Sequence, residues 1–207
     1  DFYWIKTIKN NIIIAVVDCT GHGVPGAFMS MLGIAFLNEI VTRTRFDKAN
    51  EILDRLRKKV KTSLRQTGKT FEPKDGMDMS LCIIDTEYLE MQFAGAFNPV
   101  HIIKNNKLET IKADRQPIAI YPMEKEFTNH TVKLSKNDMI YTFSDGYVDQ
   151  TGGDKGKKLL PKNFRKILLD IHQLPMNEQK QVLEDRLEAW RRDHEQVDDI
   201  LIIGIRL

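Results

Sequence analysis

Four aspartates stand beside apolar runs of the kind that form buried strands. Asp18 ends NIIIAVVD, Asp145 ends IYTFSD, and Asp198 and Asp199 open DDILIIGIRL. A single acid at a strand end is often only a solvated turn residue. If these strand ends lie together, however, the carboxylates repel one another unless protons or cations intervene. Oxygen-rich sites without clustered histidine or cysteine suit hard ions such as Mg²⁺ or Mn²⁺, so the pattern predicts a divalent metal site.

The hexapeptide DCTGHG, residues 18–23, connects the first of these strands to a helical pattern. Gly21 and Gly23 have no Cβ, so the backbone can turn sharply and bring its carbonyl groups close to an ion. Cys19 would offer its backbone carbonyl, since a lone thiol is more often a small buried hydrophobe than a nucleophile. His22 has no second histidine at metal spacing, so a hydrogen bond within the loop is favoured over a ligand or proton-shuttle role.

The elements that must position these residues can be read from the spacing of apolar residues. Residues 11–18 form a continuous β-branched run, typical of a strand covered on both faces. Short alternating segments between residues 77 and 145 predict antiparallel hairpins, and GGDKGKK, residues 152–158, is the one flexible-looking stretch. Apolar residues three or four apart predict helices from Pro25 to Ile40, over about 49–66, over 161–172 and over 177–193. This order predicts an α+β fold, a β-sandwich of mainly antiparallel sheets flanked by helix pairs.

Composition limits the classes of protein that fit. The chain has 207 residues, 42% of them apolar, which suits one domain over residues 1–207. A net charge of +2 gives no field that argues for nucleic acid or an anionic membrane. Cys19 and Cys82 are too few for a disulfide framework and suit a reducing, cytoplasmic compartment. No apolar stretch approaches the ~20 residues of a membrane helix, so no membrane insertion of this segment is expected.

Several motifs together carry a resemblance to a known family. They occur in the order VDCTGHGVPGAFMSMLG, DGMDMSLCIID, FAGAFNP, KADRQPI, DMIYTFSDGYVDQTGG and VDDILIIGIRL. This set resembles the SpoIIE and RsbU type of bacterial serine phosphatase, a branch of the metal-dependent type 2C protein phosphatases. The resemblance implies a β-sandwich flanked by helices, two Mn²⁺ or Mg²⁺ ions, and removal of phosphate from phosphoserine or phosphothreonine.

The resemblance also implies roles for particular residues. Asp18 matches the aspartate that lies between both metals, and the Cys19 carbonyl takes the place usually held by glycine. Asp145 and Asp198 match the remaining metal-binding aspartates and complete the catalytic set. Residues with lesser implied roles are Asp199 and Asp1 as additional metal ligands, and Gly21, His22, Gly23, Asp78 and Arg115 in substrate or loop positions. A charged loop such as that of Arg115 is more often simply solvated.

The chain departs from the family pattern at two places. It starts at the acid of the opening GDFYW element, so the fold is expected to lack its first strand or strands and part of the metal shell. It also has Phe97 where asparagine is common, which bears on local shape and on the substrate loop. We expect the chain to belong to a longer regulatory protein.

The mechanism implied is hydrolysis without a covalent phosphoenzyme. Two cations about 3.5 to 4 Å apart activate a water that attacks the phosphoryl group in line. The implied substrate is a phosphorylated regulatory protein similar to an anti-sigma-factor antagonist. The implied controller is an upstream sensory or helical segment of the same chain, acting through contacts in a homodimer, and the phosphatase is cytoplasmic, either free or as the cytoplasmic part of a membrane-anchored sensor.

Two alternatives stay open at this stage. One is a catalytically silent signalling or docking module with a phosphatase fold, against which the full aspartate set argues. The other is a metal-dependent phosphoesterase that acts on a small substrate. Action on nucleic acid is disfavoured, because the charge is near neutral and basic residues do not cluster with aromatic ones.

Overall fold

A computed structural model describes residues 1–21, 23–43, 48–69, 72 and 74–207. Helices and strands alternate in blocks along the chain. The strands are β1 (Phe2–Ile8), β2 (Asn11–Cys19), β3 (Met77–Asp85), β4 (Glu90–Ala96), β5 (Val100–Lys104), β6 (Lys107–Ile111), β7 (His130–Lys133), β8 (Met139–Phe143), β9 (Thr151–Gly152), β10 (Lys157–Lys158) and β11 (Ile202–Arg206). The helices are α1 (Gly23–Arg43), α2 (Ala49–Ser63), α3 (Gly146–Asp149), α4 (Pro161–Ile171) and α5 (Met176–Arg191).

Two antiparallel sheets form the centre of the molecule. The first sheet has five strands in the order β1-β2-β3-β4-β7, and the second has four in the order β11-β8-β5-β6. A short hairpin pairs β9 with β10 around the stretch 152–158. The predicted antiparallel hairpins form in β3–β4 and β5–β6, and β1 also pairs with β2, which was not predicted. The hairpin predicted between β7 and β8 does not form, because β7 pairs with β4 and β8 pairs with β5.

Three hydrophobic clusters fill the spaces between four layers. The first cluster packs α1 and α2 against the five-stranded sheet, and the second packs α4 and α5 against the four-stranded sheet. The third lies between the two sheets and includes Ile14, Cys82 and Ile140. Along β2, Ile13 and Ala15 face the helices while Ile14 faces the other sheet, which explains the continuous apolar run. The predicted β-sandwich flanked by helix pairs is confirmed.

The helix bounds agree with the sequence predictions within a few residues. Helix α1 begins two residues before Pro25 and ends three residues after Ile40, and α2 ends at Ser63 rather than near residue 66, because Arg65 adopts a left-handed conformation with φ of 53°. Pro161 and Met176 begin α4 and α5, as the apolar spacing indicates.

Helix α1 corrects one expectation about membrane insertion. Among the described helices, this one is long and apolar enough to cross a membrane, and 33% of its most apolar window is buried. The expectation that no apolar stretch approaches membrane length is therefore wrong by length and composition. A core helix passes the same test, and a Cβ built on Gly33 would lie 2.7 Å from Phe2 and 2.9 Å from the Met77 sulfur, so α1 packs closely on the sheet.

Candidate metal centre

Two carboxyl groups face each other at the end of the β2–β3 pair. Asp18 is the next-to-last residue of β2 and lies directly opposite Asp78 of β3 in the antiparallel register. The Thr20 amide donates to the Gly76 carbonyl at 3.0 Å, so the two strands stay together just beyond this pair. Both carboxyl side chains belong to half-buried residues. The strand ends thus hold two acids in one partly desolvated place.

The second sheet brings a third acid and the closing DD pair to the same place. Asp145 follows β8 and precedes α3 without capping that helix with its side chain. The Ser144 amide donates to the Leu201 carbonyl at 2.9 Å, and the Leu201 amide donates to the Ser144 Oγ at 3.1 Å. These bonds align the end of β8 with the segment that precedes β11. Ser144 is therefore a structural hydrogen-bonding residue here.

Gly146 permits the close approach of these two segments. A Cβ at this position would lie 2.0 Å from the Asp199 carbonyl oxygen, far inside van der Waals contact. Only glycine can therefore follow Asp145 while the Asp198–Asp199 turn keeps its place. The close packing of the two strand ends therefore requires the glycine of the SDG motif.

The carboxyl groups interact strongly with one another. Burial, followed by the charges of Asp145, Asp198 and Asp78, raises the pKa of Asp18 to about 7. Burial and the Asp145 charge raise the pKa of Asp78 to about 6. Burial and the charges of Asp149 and Asp198 raise the pKa of Asp145, while a hydrogen bond with the Asp18 side chain opposes that rise. The cluster therefore carries negative charge that the protein does not neutralise.

Asp1 and Asp199 complete the rim of a cavity beside this cluster. The cavity has a volume of about 550 Å³, and Asp18, Cys19 and Asp198 line it as well. The Asp1 Oδ2 atom is buried and has no hydrogen-bond partner among the described residues. A buried carboxylate oxygen without a donor is the kind of atom that a cation satisfies.

These residues fit a hard divalent cation by their chemistry. They offer oxygen atoms, uncompensated negative charge and one buried carboxylate oxygen without a partner. Within the described residues, no three His, Cys, Asp or Glu side chains are grouped closely enough to hold a metal ion. The structure thus keeps Asp18, Asp145 and Asp198 within electrostatic range of one another, without forming a complete ligand set.

The DCTGHG loop has the backbone that its glycines predicted. Gly21 and Gly23 adopt positive φ values of 89° and 63°. The Cys19 side chain is buried, Ser30 Oγ donates to its sulfur at 3.6 Å, and burial raises the pKa of the thiol. The sulfur is thus unsuited to nucleophilic chemistry. His22 lies outside the described residues.

From the sequence Arg115 was a candidate to lie near the site, and the role of Arg165 was not predicted. Arg115 is exposed and lines neither of the two cavities that adjoin the carboxylates. Arg165 of α4 instead lines the second of these cavities, together with Asn98, Asp78 and Asp145. The signal in the sequence was slight: a cation between Phe164 and Ile167 on an otherwise apolar helix face.

Solved structures with the same fold define the class of protein. The chain superimposes with a TM-score of 0.89 on the SiaA-PP2C domain of Pseudomonas aeruginosa, at 28% identity over 100% of this chain and 80% of that one. It matches the PP2C phosphatase and partial regulatory domain structure of SpoIIE from Bacillus subtilis with a TM-score of 0.76, at 18% identity over 100% of this chain and 58% of that one. RsbX in complex with magnesium gives a TM-score of 0.66, at 13% identity over 98% and 84% of the two chains. The fold is that of a PP2C phosphatase domain.

The family follows from the sequence itself. Residues 9–207 match the model of the stage II sporulation protein E (SpoIIE) family. The chain therefore belongs to the SpoIIE family, as its motifs indicated. No curated protein matches the chain.

Proposed function

We propose that this chain is a metal-dependent phosphatase that removes phosphate from phosphoserine or phosphothreonine on a regulatory protein. The observation that carries the proposal is the carboxyl cluster around Asp18, which collects acids from both sheets at the rim of the sandwich. Membership of a family of PP2C-type phosphatases supports the reaction class. The magnesium complex of RsbX supports a divalent cation.

We assign the cation ligands to Asp18, Asp145 and Asp198, together with the Cys19 carbonyl, and place Asp199 and Asp1 beside them. When bound, a pair of Mn²⁺ or Mg²⁺ ions lowers the pKa of a water nucleophile and neutralises charge on the phosphoryl oxygens. Carboxylates bind cations in the deprotonated form, so a cation at Asp18, whose pKa is raised to about 7, would compete with a proton.

The remaining chemistry belongs to the substrate and its setting. The cavity beside Asp18 and Asp198 is open and polar, which suits a phosphoryl group presented on a protein surface. The substrate we propose is a phosphorylated protein similar to an anti-sigma-factor antagonist. An upstream segment of the same chain would control the phosphatase through a homodimer, in the cytoplasm or at the cytoplasmic side of a sensor.

Phosphate release from a phosphoserine peptide tests the proposal. Mn²⁺ is titrated into the purified chain, into Asp145→Asn, and into Asp193→Asn, which removes an exposed acid away from the cluster. We expect saturable release in the wild type and in Asp193→Asn, and a loss of at least about 100-fold in Asp145→Asn.

Three results would count against the proposal. Full turnover in Asp145→Asn would show that this carboxylate holds no essential cation. Binding of Mn²⁺ and phosphopeptide without any release would favour the docking module, for which the incomplete ligand grouping is the supporting observation. Turnover of aryl phosphates but not of phosphopeptides would favour a small-substrate phosphoesterase.

A further inference from the structure

A second cavity, of about 430 Å³, adjoins the candidate metal centre and shares Asp78 and Asp145 with the carboxyl cluster. Its lining also includes a third acid, Asp149, whose carboxylate pairs with Lys158, together with apolar side chains such as Phe97 and the polar side chains of Asn98 and Arg165. The cavity therefore combines an acidic part, an apolar wall and a cationic part. None of the roles assigned above to the metal centre uses Asn98 or Arg165.

Arg165 is the cationic side chain in the described lining of this cavity. The residue is half-buried on α4, and among the described residues its guanidinium makes neither an ion pair nor a hydrogen bond. Its charge acts on His101, which lines the same cavity, and it contributes, after burial, to lowering the pKa of His101 to about 4. A guanidinium beside a cavity binds carboxylate or phosphate groups well, because its planar donors match their paired oxygens.

Asn98 lies in the wall of the same cavity. The side chain is 7% exposed, and its Nδ2 has no hydrogen-bond partner among the described residues. Its turn is held firmly, since the Asn98 amide donates to the Ala96 carbonyl at 2.6 Å and the Phe97 amide donates to the Asp114 carbonyl at 2.9 Å. Phe97 takes a left-handed conformation with φ of 57° in this turn. The Nδ2 atom itself has almost no accessible surface, so Asn98 shapes the wall of the cavity and does not present this donor to a ligand.

We propose that this cavity is a subsite for an acidic residue close to the phosphoserine in the substrate, with Arg165 binding its carboxylate. This inference rests on the proposed phosphatase function, which puts the phosphoryl group at Asp18 and Asp145. Because Asp145 belongs to both places, a peptide bound at the centre continues directly into the cavity. An extended chain spans roughly 3.3 to 3.6 Å per residue, so the acid lies within about three positions of the phosphoserine.

A paired-peptide experiment tests the subsite. One phosphoserine peptide carries glutamates in the three positions on each side, and the other carries glutamines there. Both are assayed with Mn²⁺ against the wild type, Arg165→Gln and Lys166→Gln, which removes a neighbouring exposed charge of the same helix. We expect the wild type and Lys166→Gln to prefer the glutamate peptide by about tenfold in kcat/KM. In Arg165→Gln that ratio falls to about one.

The ratio separates recognition from general damage, because a misfolded or poorly metallated variant loses activity on both peptides alike. Equal kcat/KM for the two peptides in the wild type, or an unchanged preference in Arg165→Gln, would overturn the subsite and leave the phosphatase proposal standing. If the wild type hydrolyses neither peptide, the phosphatase proposal fails, and calorimetric binding of the same peptides decides the subsite. Tighter binding of the glutamate peptide that Arg165→Gln abolishes would support it, and equal binding would overturn it.

Discussion

For single residues, the clearest effect of the fold is on Asp18, because its surroundings oppose ionisation of its carboxyl group. Its carboxyl is half-buried and within range of Asp145, Asp198 and Asp78, and its pKa rises from 3.8 to about 7. Near neutral pH, such a group ionises more easily in the unfolded chain than in the folded one, which lowers stability. Proteins accept this kind of cost at functional sites.

We therefore predict that Asp18→Asn stabilises the metal-free chain. Allowing for solvent screening of this half-buried group, its free energy of unfolding at pH 8 in the presence of a chelator should rise by about 1 to 2 kcal/mol. Saturating Mn²⁺ should stabilise the wild type and leave Asp18→Asn unchanged, because a ligand that binds only the folded state shifts unfolding.

Urea denaturation with and without Mn²⁺ measures both effects, and Asp193→Asn is the control for removing one acid elsewhere. A metal-free Asp18→Asn chain that is less stable than the wild type would contradict the electrostatic reading of the cluster.

The burial of His101 predicts a pH dependence of stability that is separate from the titration of the carboxyl cluster. It is buried, its Nδ1 is hydrogen-bonded to Thr110 Oγ1 at 3.0 Å, and its ring centroid lies 4.8 Å from that of Phe143. Burial and, second, the Arg165 charge lower its pKa from 6.5 to about 4. As pH falls below 6.5, the unfolded chain binds a proton before the folded chain does, so stability is complete above 6.5 and is lost toward pH 4.

Replacing His101 with phenylalanine should remove this part of the pH dependence. The wild type should lose roughly 1 to 2 kcal/mol more than His101→Phe between pH 7.5 and pH 5. Unfolding at both pH values measures the difference, with His194→Gln, an exposed histidine, as control. Equal losses in the wild type and in His101→Phe would show that this histidine titrates normally in the fold.

At the scale of elements, the site depends on how closely the end of β8 approaches the segment before β11. Gly146 permits that approach, because any Cβ would lie 2.0 Å from the Asp199 carbonyl oxygen. The contact is with backbone, which cannot rotate away as a flexible side chain can. The position of Asp198 relative to Asp145 is thus set by a single glycine.

We predict that Gly146→Ala displaces the Asp198–Asp199 turn. The variant should lose about 1 to 3 kcal/mol of stability, the usual cost of forcing an extra methyl into a packed place, and should bind Mn²⁺ at least about tenfold more weakly. Calorimetry and urea denaturation measure these effects. Gly153→Ala is the matched control, since a Cβ there would lie 3.4 Å from the Trp190 ring, in ordinary contact. Because φ at Gly153 is 66°, the alanine strains the backbone of its own hairpin, but it does not displace the Asp198–Asp199 turn. Wild-type Mn²⁺ affinity in Gly146→Ala would contradict this role.

At the scale of the whole molecule, the parts that sequence could predict are those with local causes. Apolar periodicity gave α4 and α5 closely, and the continuous run of β2 correctly indicated a strand covered on both faces. The aspartates could be selected as site candidates because each stands at the end of an apolar run, where a strand meets a turn. The family motifs, matched over residues 9–207, added the order in which those ends occur.

The parts that sequence did not predict depend on long-range packing. The pairing of β7 with β4 joins strands that are separated along the chain by the β5–β6 hairpin and a long loop. No local sequence signal indicates that these two strands pair. Arg165 looked like one more cation on a helix, and only the packing of α4 beside β5 and β8 puts it next to Asp145. No stretch of membrane length was predicted, whereas the apolar run of α1 continues up to Arg43, the last residue of the helix.

Anomalous X-ray scattering from a crystal grown with Mn²⁺ would locate the metal in the folded chain. We expect the anomalous peaks to lie among the carboxylates of Asp18, Asp145 and Asp198, beside the Cys19 carbonyl, and the Asp145→Asn crystal to lose them. Strong peaks elsewhere, or a site in which these carboxylates make no contact with Mn²⁺, would overturn this assignment of ligands.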